Sequence, residues 1–435
     1  MRRRLLWLFL LFAVGCSGAT DDAADSGPGE VSVAEIAVDL GIEPDVVPEV
    51  AEEEDLWPFE VDDTPGCAGD FCAAGPDHAP NPAEWGPFPV GVTTMVVKSV
   101  NHEGLPRNFR VEIWYPTTEE HRDGPFGTID IYSDAPDPLQ EYVAQFEGAV
   151  PPIEVQTTRD TPVRGGDGPY PIVLFSHGAY GVRYQSVFFT IQLASHGYIV
   201  ASIDHVGNTL YDIFGPQGFD MGVVVLSAMD RPYDSAVALT AVTVRNDDPD
   251  DMFYKTMNVT EIGMSGHSFG GFTSYLMPHL DKRIKAIVPM APATAGLGIL
   301  GYPLEELEIP SLMMVGMLDD TLDVEMEMFK GYEKIPPTKA LLAFKAGGHY
   351  TFSDICQLDL EYVASELGFI DAEDALTDGC ADFNVPVATA HPIINQFAIG
   401  WFNYYLRHSP GSLEYFEQDA AKEYEEHIDY EVVFE

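Results

Sequence analysis

Basic residues are scarce: 22 Lys and Arg stand against 70 Asp and Glu, a formal net charge of −48 over 435 residues. Neutralising phosphates requires clustered cations, so this balance excludes nucleic acid as a partner. Long apolar runs are also few. The first is Leu5 to Val14, ten residues, about half of what a membrane-crossing helix needs, and no later stretch approaches spanning length. Cysteine is limited to five residues, and no second pair lies at ligand spacing near Cys67 and Cys72, which argues against a zinc site. Asp371 to Gly379 is acidic but lacks the spacing of a calcium loop.

What is present begins with a targeting segment. Arg2, Arg3 and Arg4 precede the apolar run, and Ala13-Val14-Gly15-Cys16 ends it, the order of an export signal. The small residue before Cys16 resembles a bacterial lipoprotein signal, which implies lipidation at Cys16 and a cell-envelope location, although Ala13 stands where such signals more often carry leucine. With Cys16 set aside, Cys67, Cys72, Cys356 and Cys380 form an even set with three possible pairings; proximity favours 67 with 72 and 356 with 380, and an oxidising compartment permits both. From Ser17 to Val97 there are 19 acidic residues and no Lys or Arg. Residues 17–84 therefore read as a disordered, self-repelling tether of roughly 45 Å root-mean-square reach, a solubilising spacer rather than an interaction tail.

The globular part is expected over residues 85–410, with 411–435 as an acidic C-terminal extension. Val92 to Val100 and Phe109 to Trp114 alternate apolar and polar residues like half-buried strands around a turn at Asn101 to Pro106. Gly124 to Gly168 is proline-rich and irregular. Beyond it, Pro171 to Ser176, Tyr198 to Ile203, Glu261 to Ser265, Ile284 to Met290, Ser311 to Val315 and Ala340 to Phe344 are short, nearly all-apolar runs, the pattern of parallel strands covered on both faces. Helical periodicity falls between and after them, at Tyr184 to Ser195, Arg231 to Arg245, Phe272 to Leu280, Val324 to Tyr332 and Ile393 to Leu406. The fold class is α/β, a mostly parallel sheet flanked by helices, with its reacting groups expected at the carboxyl ends of the strands.

Gly266-His267-Ser268-Phe269-Gly270 fits G-x-S-x-G between a strand and a helix, a turn that pushes a serine hydroxyl clear of the sheet. A serine hydroxyl needs a histidine to take its proton, and the histidine needs a carboxylate to hold its tautomer, in the order Ser, acid, His on such a sheet. Asp319 and Asp320 follow one downstream strand, and only one of the two adjacent acids is expected to face the site. His349 follows the next, after Gly347 and Gly348. His267 is expected to point away from the serine, His279 precedes both acids, and His391 has no strand before it. His102, His121, His391, His408 and His427 read as core or surface residues. The oxyanion of acyl transfer requires two backbone donors. The N–H of Phe269 supplies one by position, and that of Ala179, in the loop Phe175 to Gly181, is the candidate for the other.

With PIVLFSHGAYGVRYQSVFFTIQLASHGYIVASID at Pro171 to Asp204, GHSFGG at Gly266 to Gly271 and DKRIKAIVPMAPA at Asp281 to Ala293, the chain resembles the platelet-activating-factor acetylhydrolase and bacterial polyester-hydrolase branch of α/β-hydrolases, from about Pro87 to Leu406. The resemblance implies a secreted or lipid-associated serine esterase without cofactor, acting on small-molecule or lipid esters, with Ser268 as nucleophile, His349 as base, and Ala179 and Phe269 as oxyanion donors. The acetylhydrolase proper carries its acid just after the strand following the elbow, where this chain reads Pro289-Met290-Ala291-Pro292-Ala293. The acid is therefore expected one strand later, as in cutinase-like relatives, which favours Asp319 and weakens the case for a phospholipid substrate. A lipase, phospholipid acetylhydrolase or polyester hydrolase at an interface is the nearest alternative. A non-catalytic binding protein on the same fold is the alternative from another class, and it would need none of the three triad residues.

Overall fold

A computed structural model describes residues 80–435 except 102–103, 147–151, 216–217, 219 and 358–377. The signal segment with Cys16, most of the tether, Cys67 and Cys72, His102 and most of Asp371 to Gly379 lie outside the described residues. Ten strands build the main sheet: β1 (Val90–Val100), β2 (Pro106–Pro116), β5 (Thr157–Arg159), β6 (Tyr170–Ser176), β7 (Ile199–Ile203), β8 (Met257–His267), β9 (Ile284–Met290), β10 (Ser311–Gly316), β11 (Lys339–Phe344) and β12 (Ile428–Val433). Two short strands, β3 (Gly127–Ile129) and β4 (Ile153–Val155), pair apart from it inside the irregular stretch.

The order is β12-β11-β10-β9-β8-β6-β7-β2-β1-β5. From β7 to β11 every neighbouring pair is parallel. β2 runs antiparallel to β7 and pairs with β1 as the expected hairpin. All seven residues of β6 and all six of β10 are buried, as the unbroken apolar runs require of strands covered on both faces. The covers are α1 (Val187–Ser195) with α4 (Val387–Leu406) on one face and α2 (Met221–Thr243) with α3 (Phe269–Leu280) on the other. The expected α/β-hydrolase architecture is the one observed.

Three elements differ most from the sequence reading. α2 begins at Met221, ten residues before the expected Arg231, because Asp220 caps it by accepting the Gly222 N–H at 2.7 Å. The largely apolar first turns, Met221 to Leu226, and Pro232 concealed its periodicity. The stretch read as a helix from Val324 is a π-helical turn, Val324–Phe329, followed by a short α-helix, Lys330–Lys334. Residues 411–435, read as an extension, supply β12 antiparallel to β11, with Ile428 and Phe416 buried.

The parallel register aligns the carboxyl ends. Ser176 of β6 pairs with Gly266 of β8, His267 with Met290 of β9, and Gly316 of β10 with Phe344 of β11. The loops that follow these strands therefore open on one rim.

Candidate active site

Ser268 sits between β8 and α3 with φ 57° and ψ −113°, in the left-handed half of backbone space that a non-glycine residue enters at a cost of about 1–3 kcal/mol. Its N–H donates to Met290 O at 2.8 Å, and Phe272 N–H donates to its carbonyl at 3.1 Å. The glycines of the motif are there for contact. A Cβ on Gly270 would lie 1.8 Å from Ser176 O, and one on Gly266 would lie 2.5 Å from Gly270 C, so the elbow closes onto β6 only with bare backbone.

The acid and histidine loops are zipped together before their side chains meet. Met317 N–H donates to Phe344 O at 2.9 Å and Leu318 N–H to Gly347 O at 2.8 Å. His349 Nδ1 then meets Asp319 Oδ2 at 2.7 Å, with both side chains buried. Asp319 Oδ1 accepts the N–H groups of Thr321 at 2.9 Å and Leu322 at 2.7 Å, so the carboxylate is fully engaged and fixed in orientation. Asp320 is exposed. Burial works to lower the His349 pKa, but the charge and hydrogen bond of Asp319, with Asp378 behind, prevail and raise it above the usual histidine value. A carboxylate bound at Nδ1 holds the proton there and turns Nε2 outward as an acceptor. Ser268 Oγ is not hydrogen-bonded to the ring in this structure, and such pairs are commonly looser before substrate binds.

Ala179 is exposed at the tip of the loop after β6, and its N–H has no hydrogen-bond partner among the described residues. Phe269 is the first residue of α3, where N–H groups lack an intrahelical partner. A Cβ on the intervening Gly178 would lie 3.4 Å from the Ser268 Cβ, which places the loop against the elbow.

Several residues around the site escaped the sequence reading. Asp378 accepts from His349 N–H at 3.0 Å through one oxygen, and from Asp320 N–H at 2.9 Å, Thr321 N–H at 2.8 Å and Thr321 Oγ1 at 2.8 Å through the other. It binds acid loop to histidine loop, two positions before Cys380, which is disulfide-bonded to Cys356. Its acidic surroundings carry no spacing signal for that role. His267, expected to point away, is instead buried under the histidine loop. Its Nε2–H donates to His349 O at 2.8 Å, and its Nδ1 accepts from Gln185 Nε2, whose Oε1 takes the Gly178 N–H at 2.7 Å. Burial, then the His349 ring, push the pKa of His267 well below the usual value, as a neutral spacer requires.

His391, His408, His427, His121 and His279 are placed elsewhere. His391 is buried and stacked on Phe188 at 3.5 Å, His408 meets Glu261 at 3.2 Å, and His427 meets Glu426 at 3.1 Å. His121 lies 3.5 Å from Glu120 in the loop after β2. His279 lines a cavity of about 380 Å³ with Pro278, Lys282 and Ile284. Ile284 opens β9 whereas Met290, the partner of Ser268, closes it, so that cavity is at the opposite end of the sheet.

A strained serine elbow, a buried acid–histidine pair and two unengaged backbone donors on one rim of this sheet define the α/β-hydrolase class. Residues 74–210 match the family described as platelet-activating factor acetylhydrolase, isoform II. The platelet-activating factor acetylhydrolase of Cavia porcellus is 29% identical over 136 residues, which span 29% of this chain and 29% of that protein. The matched stretch thus covers less than a third of that relative's length. A ferulic acid esterase from Streptomyces cinnamoneus superposes with a TM-score of 0.54 at 19% identity, over 79% of this chain and 96% of that one, a likeness of fold. The fold is that of the α/β-hydrolases, and the sequence of residues 74–210 resembles their acetylhydrolase-like branch.

Proposed function

We propose that the chain is a carboxylic ester hydrolase working through an acyl-enzyme on Ser268. The observation that carries this reading is the buried Asp319–His349 pair at 2.7 Å on the rim where Ser268 is held at φ 57°. His349 Nε2 accepts the Ser268 proton as Oγ attacks the acyl carbon. Charge developing on the carbonyl oxygen is received by the N–H groups of Ala179 and Phe269, each worth about 3 kcal/mol by deletion. His349 then returns the proton to the leaving alcohol, and water repeats the sequence to free the acid. The names of the relatives supply acetyl esters and ferulate esters as the first compounds to assay.

A specific observation favours an interfacial version of the same activity. Val225, Leu226, Met229 and Tyr233 are exposed along one side of α2. That helix starts beside the oxyanion loop, where Tyr180 Oη donates to Asp220 O at 2.8 Å. The apolar strip therefore flanks the site. The segment before Cys16 supports export, and Cys16 supports a lipid anchor in the cell envelope as the route to a membrane; no helix among the described residues is long and apolar enough to cross one.

The test is a series of p-nitrophenyl esters of increasing acyl length, dissolved and as micelles, with wild type and Ser268→Ala. Turnover by wild type and none by Ser268→Ala supports the reading, and a jump in rate above the micellar threshold supports the interfacial version. Equal rates for the two proteins refute it.

A further inference from the structure

Arg231, on α2, is fully buried, a placement that costs several kcal/mol for a cation without compensation. Among the described residues it forms no ion pair with a carboxylate. Its donors go elsewhere: Nη1 to His177 O at 2.5 Å and Ser176 Oγ at 3.2 Å, Nη2 to Gly178 O at 3.0 Å and Asn208 Oδ1 at 2.7 Å. Two of these acceptors are consecutive carbonyls of the loop that carries Ala179. The Gly178 carbonyl belongs to the same peptide unit as the Ala179 N–H. The same guanidinium lies 4.5 Å from the centroid of the Phe269 ring, the residue that carries the other donor.

A chain of side chains, buried except for the partly buried Arg107, fixes this arrangement. Arg107 grips Asp234 through Nε at 2.9 Å and Nη2 at 2.8 Å, and His205 Nδ1–H donates to Asp234 Oδ2 at 3.0 Å. Ser176 Oγ–H donates to His205 Nε2 at 2.9 Å, which leaves the Ser176 oxygen to accept from Arg231. His205 N–H donates to His177 Nε2 at 3.1 Å, so the His177 proton sits on Nδ1 and is donated to Gly178 O at 2.7 Å. Gly178 O also accepts from Gly181 N–H at 3.1 Å. One carbonyl thus faces three donors, one of them cationic. Polarising a peptide at its oxygen strengthens the hydrogen bond that its nitrogen donates. Burial pushes the Arg231 pKa down to about 9 while Asp234 opposes the fall, which leaves the cation in place at neutral pH.

We propose that Arg231 is a positioning residue of the oxyanion hole: from beneath the loop it holds and polarises the Gly178–Ala179 peptide, and it places a buried positive charge behind both oxyanion donors. The inference rests on the esterase reading above. It requires that loss of Arg231 be felt where negative charge develops on the carbonyl oxygen and little in substrate binding.

The test pairs a good ester substrate with its thionoester, in which C=S replaces C=O and the developing anion is a poor hydrogen-bond acceptor. Wild type, Arg231→Met and Arg231→Lys are compared, with rates normalised to the fraction that a fluorophosphonate can label. The expected result for Arg231→Met is a fall in kcat on the ester of about 10- to 100-fold, less than the loss of a whole donor, with KM nearly unchanged and a much smaller fall on the thionoester. Arg231→Lys keeps the charge with poorer geometry and should lie between, and it carries the test if Arg231→Met does not fold. Equal falls on both substrates, or no fall on the ester, overturn the proposal and leave Arg231 as packing. If wild type hydrolyses neither substrate, the esterase reading has failed instead.

Discussion

Replacing Asp319 by Asn keeps the shape of the side chain and reverses one hydrogen bond. Oδ1 is committed to the N–H groups of Thr321 and Leu322, at 2.9 and 2.7 Å, so the amide oxygen of Asn must stay there. The amide nitrogen is then turned toward His349 Nδ1, now 2.7 Å from Oδ2, where it can only donate. The ring must accept at Nδ1 and carry its proton on Nε2, the nitrogen proposed to take the serine proton, so a donor stands where a base is needed. Loss of the oriented base is worth about 10⁴ in kcat in a comparable triad, so a fall of about 10³–10⁴ is expected. The pH profile should move as well. A raised His349 pKa means that wild-type kcat/KM falls, on acidification, through a value above the usual 6.5, because only the neutral ring is a base. In Asp319→Asn burial remains without its opponent, and the residual acid limb should shift downward. For stability the sign is opposite: the pair contributes fully below about pH 6.5 and is lost as pH rises through the native value. Steady-state kinetics from about pH 5 to 9 on wild type, Asp319→Asn and Asp320→Asn decide the matter. Full activity in Asp319→Asn, or its loss in Asp320→Asn alone, would refute this assignment of the acid.

Three further outcomes are expected. Asp378→Ala removes four hydrogen bonds between the acid and histidine loops and should lower stability by about 3 kcal/mol and kcat more than KM, read by thermal unfolding and kinetics; an unchanged Tm would contradict that role. Reducing Cys356–Cys380, which closes a loop across a separation of 24 residues, should cost about 3 kcal/mol and slow turnover, because the bond sits beside both His349 and Asp378. Beyond Val97 the chain holds 51 acidic against 19 basic residues, so its Tm should rise with NaCl or a divalent cation, and a flat salt titration would show that self-repulsion is not felt.

Much of this was legible in the sequence because parallel strands buried on both faces write themselves as unbroken apolar runs. β6, β9, β10 and β11 lie within one residue of where those runs stand. The candidates Ser268, Asp319 and His349 stand out in the sequence for a related reason: each follows such a run at a glycine-containing turn. What stayed hidden depends on partners far along the chain. Asp378 looks like any acid in an acidic stretch until its four donors are seen, 29 residues or more upstream. Arg231 resembles an ordinary helix residue, because two of its acceptors are carbonyls 53 and 54 residues away and backbone leaves no mark in composition. α2 began unseen because a helix exposing Val225, Leu226 and Met229 breaks the usual polar-out pattern.

The most direct measurement is the site of covalent capture by a fluorophosphonate, located by peptide mass spectrometry on the full chain. One adduct is expected, on Ser268, and it fails to form in Ser268→Ala. An adduct on another residue, or labelling that survives the substitution, would contradict it.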